Sequence, residues 1–170
     1  LKPGMPLFLD LETDPETGRI ICIGLSNSAN EVFSISVQPQ MYGQVTDYLL
    51  VARFFRRLCV ILDQCSELII HNAQFDLFIL AQLYRIPPPP LGKVYDTMVS
   101  HHRLFNGLEK SLGHCISLYT DEAYHKDTAI FTPNNEAQLR QLLAYNAKDV
   151  ERMALVYYEQ RRISAEIPGA

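Results

Sequence analysis

The chain has 170 residues, of which 48% are hydrophobic and 20% charged, and its formal net charge is −4. This acidic balance argues against a protein that holds nucleic acid on a wide basic surface, and no apolar run approaches the roughly 18 residues of a membrane helix. The length suits one domain with a full core, so we expect residues 1–170 to form a single domain.

The first residues, Leu1 to Gly4, contain neither an initiator methionine nor the apolar core of a signal peptide. We therefore expect the chain to have been cut from a longer protein.

Three short strands are predicted next. Leu7–Leu11 is an apolar run followed by the turn residues Asp14–Gly18, and the β-branched run Arg19–Leu25 completes a hairpin. Residues 31–37 alternate apolar and polar side chains, which predicts a third, half-exposed antiparallel strand.

Helical periodicity dominates the rest of the chain. Apolar residues at three- and four-residue steps predict a helix over Thr46–Leu62 with Thr46 as its N-cap. A short buried strand at residues 68–71 precedes a helix over Gln74–Arg85, which a proline run at 87–90 ends. The remaining predictions are a strand at Val94-Tyr95, a helix capped by Asp96 to about His102, a helix over Leu108–Tyr119, a loop over Thr120–Pro133, and a helix capped by Asn134 or Asn135 that runs, with a bend, to about Arg162.

Acidic side chains follow two of the predicted strands and recur on the last helix. Residues two apart on a strand share a face, so Asp10 and Glu12 project together. Asp76 falls in the first turn of a helix, and Tyr145 and Asp149 lie four residues apart on another. Acids within apolar runs are costly to bury unpaired, so a bound divalent cation is the simplest reason for them to converge.

Each motif alone has a structural alternative. An Asp-x-Glu pair is commonly a solvated turn, Asp76 and Asn72 could cap a helix, and Phe75 could belong to the core. Asp96 also stands between a strand and a helix, but capping explains it fully and we exclude it from the site.

The order and spacing of the motifs resemble those of the DEDD exonuclease superfamily, with its DxE, Asn-x-x-Phe-Asp and Tyr-x-x-x-Asp motifs. Tyrosine in the third motif is similar to the DEDDy branch, which contains the proofreading domains of family A DNA polymerases and the RNase D group. The resemblance extends through Val94-Tyr95-Asp96-Thr97-Met98, Ser111-Leu112, Lys126-Asp127 and Tyr145-Asn146-Ala147-Lys148-Asp149-Val150.

This resemblance implies an α/β fold with an RNase H-like mixed sheet, three antiparallel strands followed by parallel strands, flanked by α-helices. It implies that two Mg²⁺ or Mn²⁺ ions are bound by Asp10, Glu12, Asp76 and Asp149. Such ions activate water and stabilise the leaving 3′ oxygen. A phenol pKa of about 10 is too high for a general base, so Tyr145 would orient the attacking water. By the same resemblance, Thr13 would seat the terminal nucleotide, and Asn72 and Phe75 would support the site or the strand.

The expected function is a metal-dependent 3′→5′ exonuclease that releases nucleoside 5′-monophosphates from single-stranded or frayed 3′ ends, DNA being favoured. The expected setting is the proofreading domain of a family A-type DNA polymerase, covalently linked to the polymerase domain. An RNase D-like exoribonuclease is the alternative enzyme, and a catalytically silent nucleic-acid-binding domain is the alternative of another class. The sequence beyond Ala170 would separate the first two, because RNase D-type proteins carry helical RNA-binding domains there.

The cysteines bear on the compartment. The chain has four cysteines without a Cys-x-x-Cys pair, and Cys22 and Cys59 lie within apolar runs. We expect buried, reduced thiols and an intracellular setting, in the cytoplasm or another reducing compartment. The scattered histidines do not form the spacing of a zinc site.

Overall fold

A computed structural model describes residues 1–37, 48–122 and 130–167. Its strands form one five-stranded sheet in the order β3-β2-β1-β4-β5. Antiparallel pairing joins β1 to β2 and β2 to β3, whereas β4 is parallel to both β1 and β5. The strands are β1 (Leu7–Thr13), β2 (Ile20–Ser26), β3 (Val32–Ser36), β4 (Leu68–Ile70) and β5 (Val94–Asp96). The predicted α/β sheet, with three antiparallel strands followed by parallel ones, is thereby confirmed.

Five α-helices accompany this sheet within the described residues: α1 (Tyr48–Gln64), α2 (Ala73–Tyr84), α3 (Thr97–Leu104), α4 (Leu112–Tyr119) and α5 (Glu136–Glu166). Among them there is none with the length and apolarity that crossing a membrane would require. The predicted Thr46 cap and part of the predicted 120–133 loop lie outside the described residues.

The two faces of β1 pack against different helices, as the two-residue period of a strand requires. Leu7, Leu9 and Leu11 are buried with residues of α1 and α2. Phe8 is buried on the other face with Val150 and other residues of α5. Asp10 and Glu12 share the face of Phe8, so both carboxylates project toward the long C-terminal helix.

Side-chain caps fix where several helices begin. The Asp96 carboxylate accepts hydrogen bonds from the backbone N–H groups of Met98 and Val99, which confirms it as the cap of α3. Asn135 caps α5 through a bond from Gln138 N–H. This helix continues to Glu166, one turn beyond the predicted end. All four cysteines are free, and Cys22, Cys65 and Cys115 are buried.

The helix predicted over Leu108–Tyr119 begins only at Leu112, so its predicted start is wrong. Gly107 has φ 100°, a backbone conformation that ends regular structure there. The Lys110 carbonyl accepts a hydrogen bond from His71 Nε2 at 2.9 Å, and Ser111 caps the helix instead. A tertiary contact thus replaces the first turn that periodicity predicted.

Candidate active site

The carboxyl-terminal half of β1 lacks a strand partner on one side. The parallel pairing with β4 covers only Leu7 and Phe8. Beyond it, the backbone N–H of Leu11 donates to Asp76 Oδ1 at 3.0 Å. The first turn of α2 therefore completes the hydrogen bonding of β1 and brings the Asp76 carboxylate, which is 3% exposed, beside Asp10 and Glu12.

Helix α5 supplies the other side of the site. Asn146 is fully buried, and its Nδ2 donates to Asp10 Oδ2 at 2.8 Å. Asp149 lies three residues later and is 6% exposed, so it shares this face of the helix. The Tyr145 hydroxyl donates a hydrogen bond to Asp149. The structure thus brings together the four acids and the tyrosine that the sequence singled out.

Burial and the charges of neighbouring acids raise the pKa of Asp10, Glu12 and Asp76. Burial, followed by the charge of Asp149, raises the pKa of Asp10 to about 8, although the Asn146 hydrogen bond lowers it. Burial and the charges of Asp10, Asp149 and Asp76 raise the pKa of Glu12 to about 9. Burial and Asp10 also raise the pKa of Asp76. Without added positive charge, the cluster resists full ionisation near neutral pH.

Asp149 is more readily ionised than Asp10 and Glu12. Burial raises its pKa to about 6, while the Tyr145 hydrogen bond and the Arg152 guanidinium oppose this increase. Arg152 is itself buried and pairs with Glu122 at 3.2 Å. This arginine and Asn146 are site residues that sequence reasoning missed. Asn146 lies three residues before Asp149 and Arg152 three residues after it. This helical spacing was the sequence signal that could have identified them.

One buried atom of the cluster indicates that a cation would fit there. Among residues 1–37, 48–122 and 130–167, Asp149 Oδ1 has no hydrogen-bond partner. A buried carboxylate oxygen is normally paired, and hard divalent cations prefer carboxylate oxygens. The donor set of Asp10, Glu12, Asp76 and Asp149 therefore fits Mg²⁺ or Mn²⁺ chemically.

The acidic side chains of the cluster do not yet have the positions of metal ligands. Within residues 1–37, 48–122 and 130–167, no three His, Cys, Asp or Glu side chains are placed so that they could hold an ion together. Asp10 Oδ2 and Asp76 Oδ1 are each engaged by a hydrogen-bond donor. An ion would therefore have to be held through the other oxygens of these two carboxylates.

A cleft of about 420 Å³ opens beside Glu12. Its walls include Thr13 and the rings of Phe75 and Phe131, and Phe75 is 45% exposed. Phe131 also contacts the Tyr145 ring edge-on, with centroids 5.9 Å apart. The volume lies within the range of small-molecule sites. Two of the predicted substrate-binding residues, Thr13 and Phe75, thus line a cleft that adjoins the acids.

Asn72 does not line this cleft. It precedes α2 in a left-handed conformation, with φ 64°, and its side chain does not cap the helix. Its backbone N–H donates to Asp96 Oδ1 at 3.1 Å. The substrate role predicted for Asn72 stays a prediction.

Comparison with known proteins concerns structure alone, because no family model and no curated protein matches the chain. The chain is similar to Brucella melitensis NrnC, with a TM-score of 0.61 and 18% identity, covering 94% of this chain and 75% of that one. The Aedes aegypti Nibbler EXO domain matches with a TM-score of 0.59 and 13% identity, covering 93% and 80%.

Two further similar structures contain a bound ligand. Exonuclease X in complex with 5′ overhanging duplex DNA has a TM-score of 0.52 and 17% identity, covering 95% of this chain and 93% of that one. Brucella melitensis NrnC with bound Mg²⁺ has a TM-score of 0.55 and 17% identity, covering 96% and 86%. At these identities the likeness establishes the fold, and it confirms the predicted RNase H-like sheet flanked by helices.

Proposed function

We propose that this chain is a metal-dependent 3′→5′ exonuclease that hydrolyses the terminal phosphodiester bond of DNA and releases nucleoside 5′-monophosphates. The observation that carries the proposal is the convergence of Asp10, Glu12, Asp76 and Asp149 from three separate segments. Asp149 Oδ1 is buried and has no partner in the described part of the chain. The similar structures include an exonuclease with DNA and an Mg²⁺-bound nuclease-fold relative, which supports the same chemistry.

The four acids would hold two divalent cations, Mg²⁺ or Mn²⁺. Bound there, the cations would supply the Lewis acidity that activates water and neutralises the phosphate. Their charge would also relieve the repulsion that raises the pKa of Asp10 and Glu12. The protein's part would be to hold the carboxylates around the cations, whose charge would keep them ionised.

Tyr145 would orient the attacking water. Its hydroxyl already donates to Asp149, and Phe131 packs against its ring. These two contacts fix the phenol at the edge of the acidic cluster, which favours positioning over proton abstraction. This tyrosine also supports assignment to the DEDDy type.

The cleft lined by Thr13, Phe75 and Phe131 would receive the 3′-terminal nucleotide. An exposed aromatic side chain offers a face on which a base can stack, whatever the base. Because a paired terminus must melt before it enters, single-stranded or mismatched 3′ ends should be cut faster than blunt duplex ends, by an amount set by a few kcal/mol of melting. Equal rates on both substrates would contradict this placement.

Among exonucleases of this kind, the three sequence motifs favour a proofreading domain of a family A-type DNA polymerase, which would be one domain of a longer polypeptide. An RNase D-like exoribonuclease uses the same acids and the same tyrosine. Both activities fit the same cleft, so the preferred substrate must separate the two.

The deciding experiment compares 5′-labelled DNA and RNA strands of one sequence, with Mg²⁺ and with Mn²⁺, using Asp149→Ala as the background control. Faster shortening of DNA is the expected result. Faster shortening of RNA would favour the RNase D-like alternative. Binding of both strands without any cleavage above the Asp149→Ala background would instead favour a silent nucleic-acid-binding domain.

A further inference from the structure

Asn146 links all three antiparallel strands to the acidic cluster. Asp10, Gly24 and Ser34 lie side by side on β1, β2 and β3, because Asp10 pairs with Gly24 and Gly24 pairs with Ser34. The buried Asn146 amide crosses this row. It donates from Nδ2 to Asp10 Oδ2 at 2.8 Å and accepts at Oδ1 from the Ser34 hydroxyl at 2.7 Å.

The close approach of this amide depends on glycine. A Cβ at Gly24 would lie 2.7 Å from Asn146 Oδ1 and 2.5 Å from Val150 Cγ2. Real Cβ atoms do not approach other heavy atoms so closely, so any larger residue would force the Asn146 and Val150 side chains, or α5 with them, to move. The glycine therefore makes room for the Asn146 amide beside Asp10.

The orientation of the amide is also fixed. A reversed amide would turn its oxygen toward the Asp10 carboxylate, where two acceptors would repel each other. The Ser34 hydroxyl favours the observed orientation by donating to Oδ1. Asp10 thus receives a neutral donor on one oxygen, which leaves its other oxygen available.

We propose that Asn146 is a positioning residue that aims the Asp10 carboxylate at a divalent cation, with Ser34 and Gly24 holding its amide in place. The inference rests on the proposed function, since it assigns Asp10 to the cation. A neutral amide suits this task because it orients a carboxylate without adding a positive charge that would compete with the ion. Donors to metal-binding side chains typically contribute 10- to 100-fold in metal affinity.

The test measures Mn²⁺ binding to the metal-free chain by calorimetry, with melting temperature recorded for each variant. Asn146→Ala should weaken Mn²⁺ binding about 10- to 100-fold. Ser34→Ala, at the edge of the sheet, should weaken it less, since the amide keeps its bond to Asp10 but loses its anchor. Saturating Mn²⁺ should then restore most of the cleavage rate of Asn146→Ala.

Asn135→Ala is the matched control. Asn135 caps the first turn of the same helix by accepting a hydrogen bond from Gln138 N–H, and none of its described hydrogen bonds involves an acid of the cluster. It should lower the melting temperature while leaving Mn²⁺ affinity at the wild-type value. A purely structural role for Asn146 would give this same pattern.

The inference is overturned if Asn146→Ala binds Mn²⁺ as tightly as the wild type. If Asn146→Ala does not fold, wild-type affinity in Ser34→Ala overturns it equally. The Asp10→Ala variant distinguishes a failure of the inference about Asn146 from a failure of the proposed function. Wild-type protein that binds no Mn²⁺, or binds it no better than Asp10→Ala, would remove both proposals together.

Discussion

The half-buried Asp96 and the buried acids of the cluster lie at the carboxyl ends of two strands, β5 and β1, and their surroundings are opposite. Asp96, at the end of β5, is satisfied by the backbone. Its carboxylate accepts from the N–H groups of Asn72, Ala73, Met98 and Val99 at 2.8–3.3 Å, and so ties the start of α2 to the start of α3.

The cluster at the end of β1 is arranged differently. Among the described contacts its acids receive few donors, and one oxygen of Asp149 is buried without a partner. Burial, and then the charges of neighbouring acids, raise the pKa of Asp10 and Glu12. A carboxylate with enough N–H donors stabilises the fold, whereas carboxylates buried together without donors are costly to the fold unless a cation joins them. The difference separates a structural acid from a candidate catalytic one.

The largest contrast should come from removing an acid of the cluster. Asp149→Ala should reduce cleavage by more than the about 10⁴-fold that marks the upper limit for an acid-base group, because it removes a proposed cation ligand. Single-turnover cleavage of a labelled strand measures this. If the folded variant keeps a tenth or more of the wild-type rate, the contrast between the acidic cluster and Asp96 is contradicted.

A smaller effect is expected at the tyrosine. Tyr145→Phe keeps the ring that contacts Phe131 and removes only the hydroxyl that donates to Asp149. The rate should fall by about 10²- to 10⁴-fold, the range for positioning and acid-base groups, while metal affinity survives. Cleavage and Mn²⁺ titration are measured together. A wild-type rate, or a loss of Mn²⁺ affinity like that of Asp149→Ala, would refute the positioning role.

Asp96 should show the reverse pattern. Asp96→Ala leaves the first turns of α2 and α3 without their shared acceptor, so it should lower the free energy of unfolding by about 2 kcal/mol, the upper end of the range for helix caps. Urea unfolding measures the loss. Cleavage by the folded variant should fall by less than about 10²-fold. Unchanged stability would show that the four hydrogen bonds do not make Asp96 structural.

The mildest test follows stability against pH in the metal-free protein. Burial and repulsion raise the pKa of Asp10 from 3.8 to about 8 and that of Glu12 from 4.5 to about 9. The folded state therefore keeps protons that the unfolded chain has lost, and this stabilising contribution, complete below about pH 4, disappears as pH rises to about 9. In urea unfolding across this range, the free energy of unfolding of Asp10→Ala should increase relative to that of the wild type as pH rises.

Addition of Mg²⁺ should reverse the wild-type loss at high pH, because the ion binds the folded state in preference to the unfolded one. Asn135→Ala serves as the control, since its lower stability should have the wild-type pH dependence. A difference between wild type and Asp10→Ala that stays constant with pH would show that Asp10 ionises as an ordinary surface acid.

Much of the site was predictable because its geometry is local. The two-residue period of β1 places Asp10 and Glu12 on one face, and the helical period stacks Tyr145 over Asp149. Asp96 was correctly predicted as a helix cap, since a residue between a strand and a helix is a natural cap.

The remainder depends on contacts between distant segments. Asn146 meets Asp10 and Ser34 across 136 and 112 residues of sequence, and Gly24 matters only because α5 packs on it. The late start of α4 likewise follows from a bond between His71 and Lys110. Periodicity within one segment carries no information about such partners.

The measurement that tests the central claim most directly follows a single 5′-labelled DNA strand with the metal-free chain, first in excess EDTA and then with excess Mg²⁺. Cleavage should be absent in the chelator and should begin on addition of Mg²⁺, giving a ladder that shortens from the 3′ end with release of nucleoside 5′-monophosphates. Undiminished digestion in excess chelator, or a ladder that grows from the 5′ end, would contradict the assignment of the acidic cluster to metal-dependent 3′→5′ cleavage.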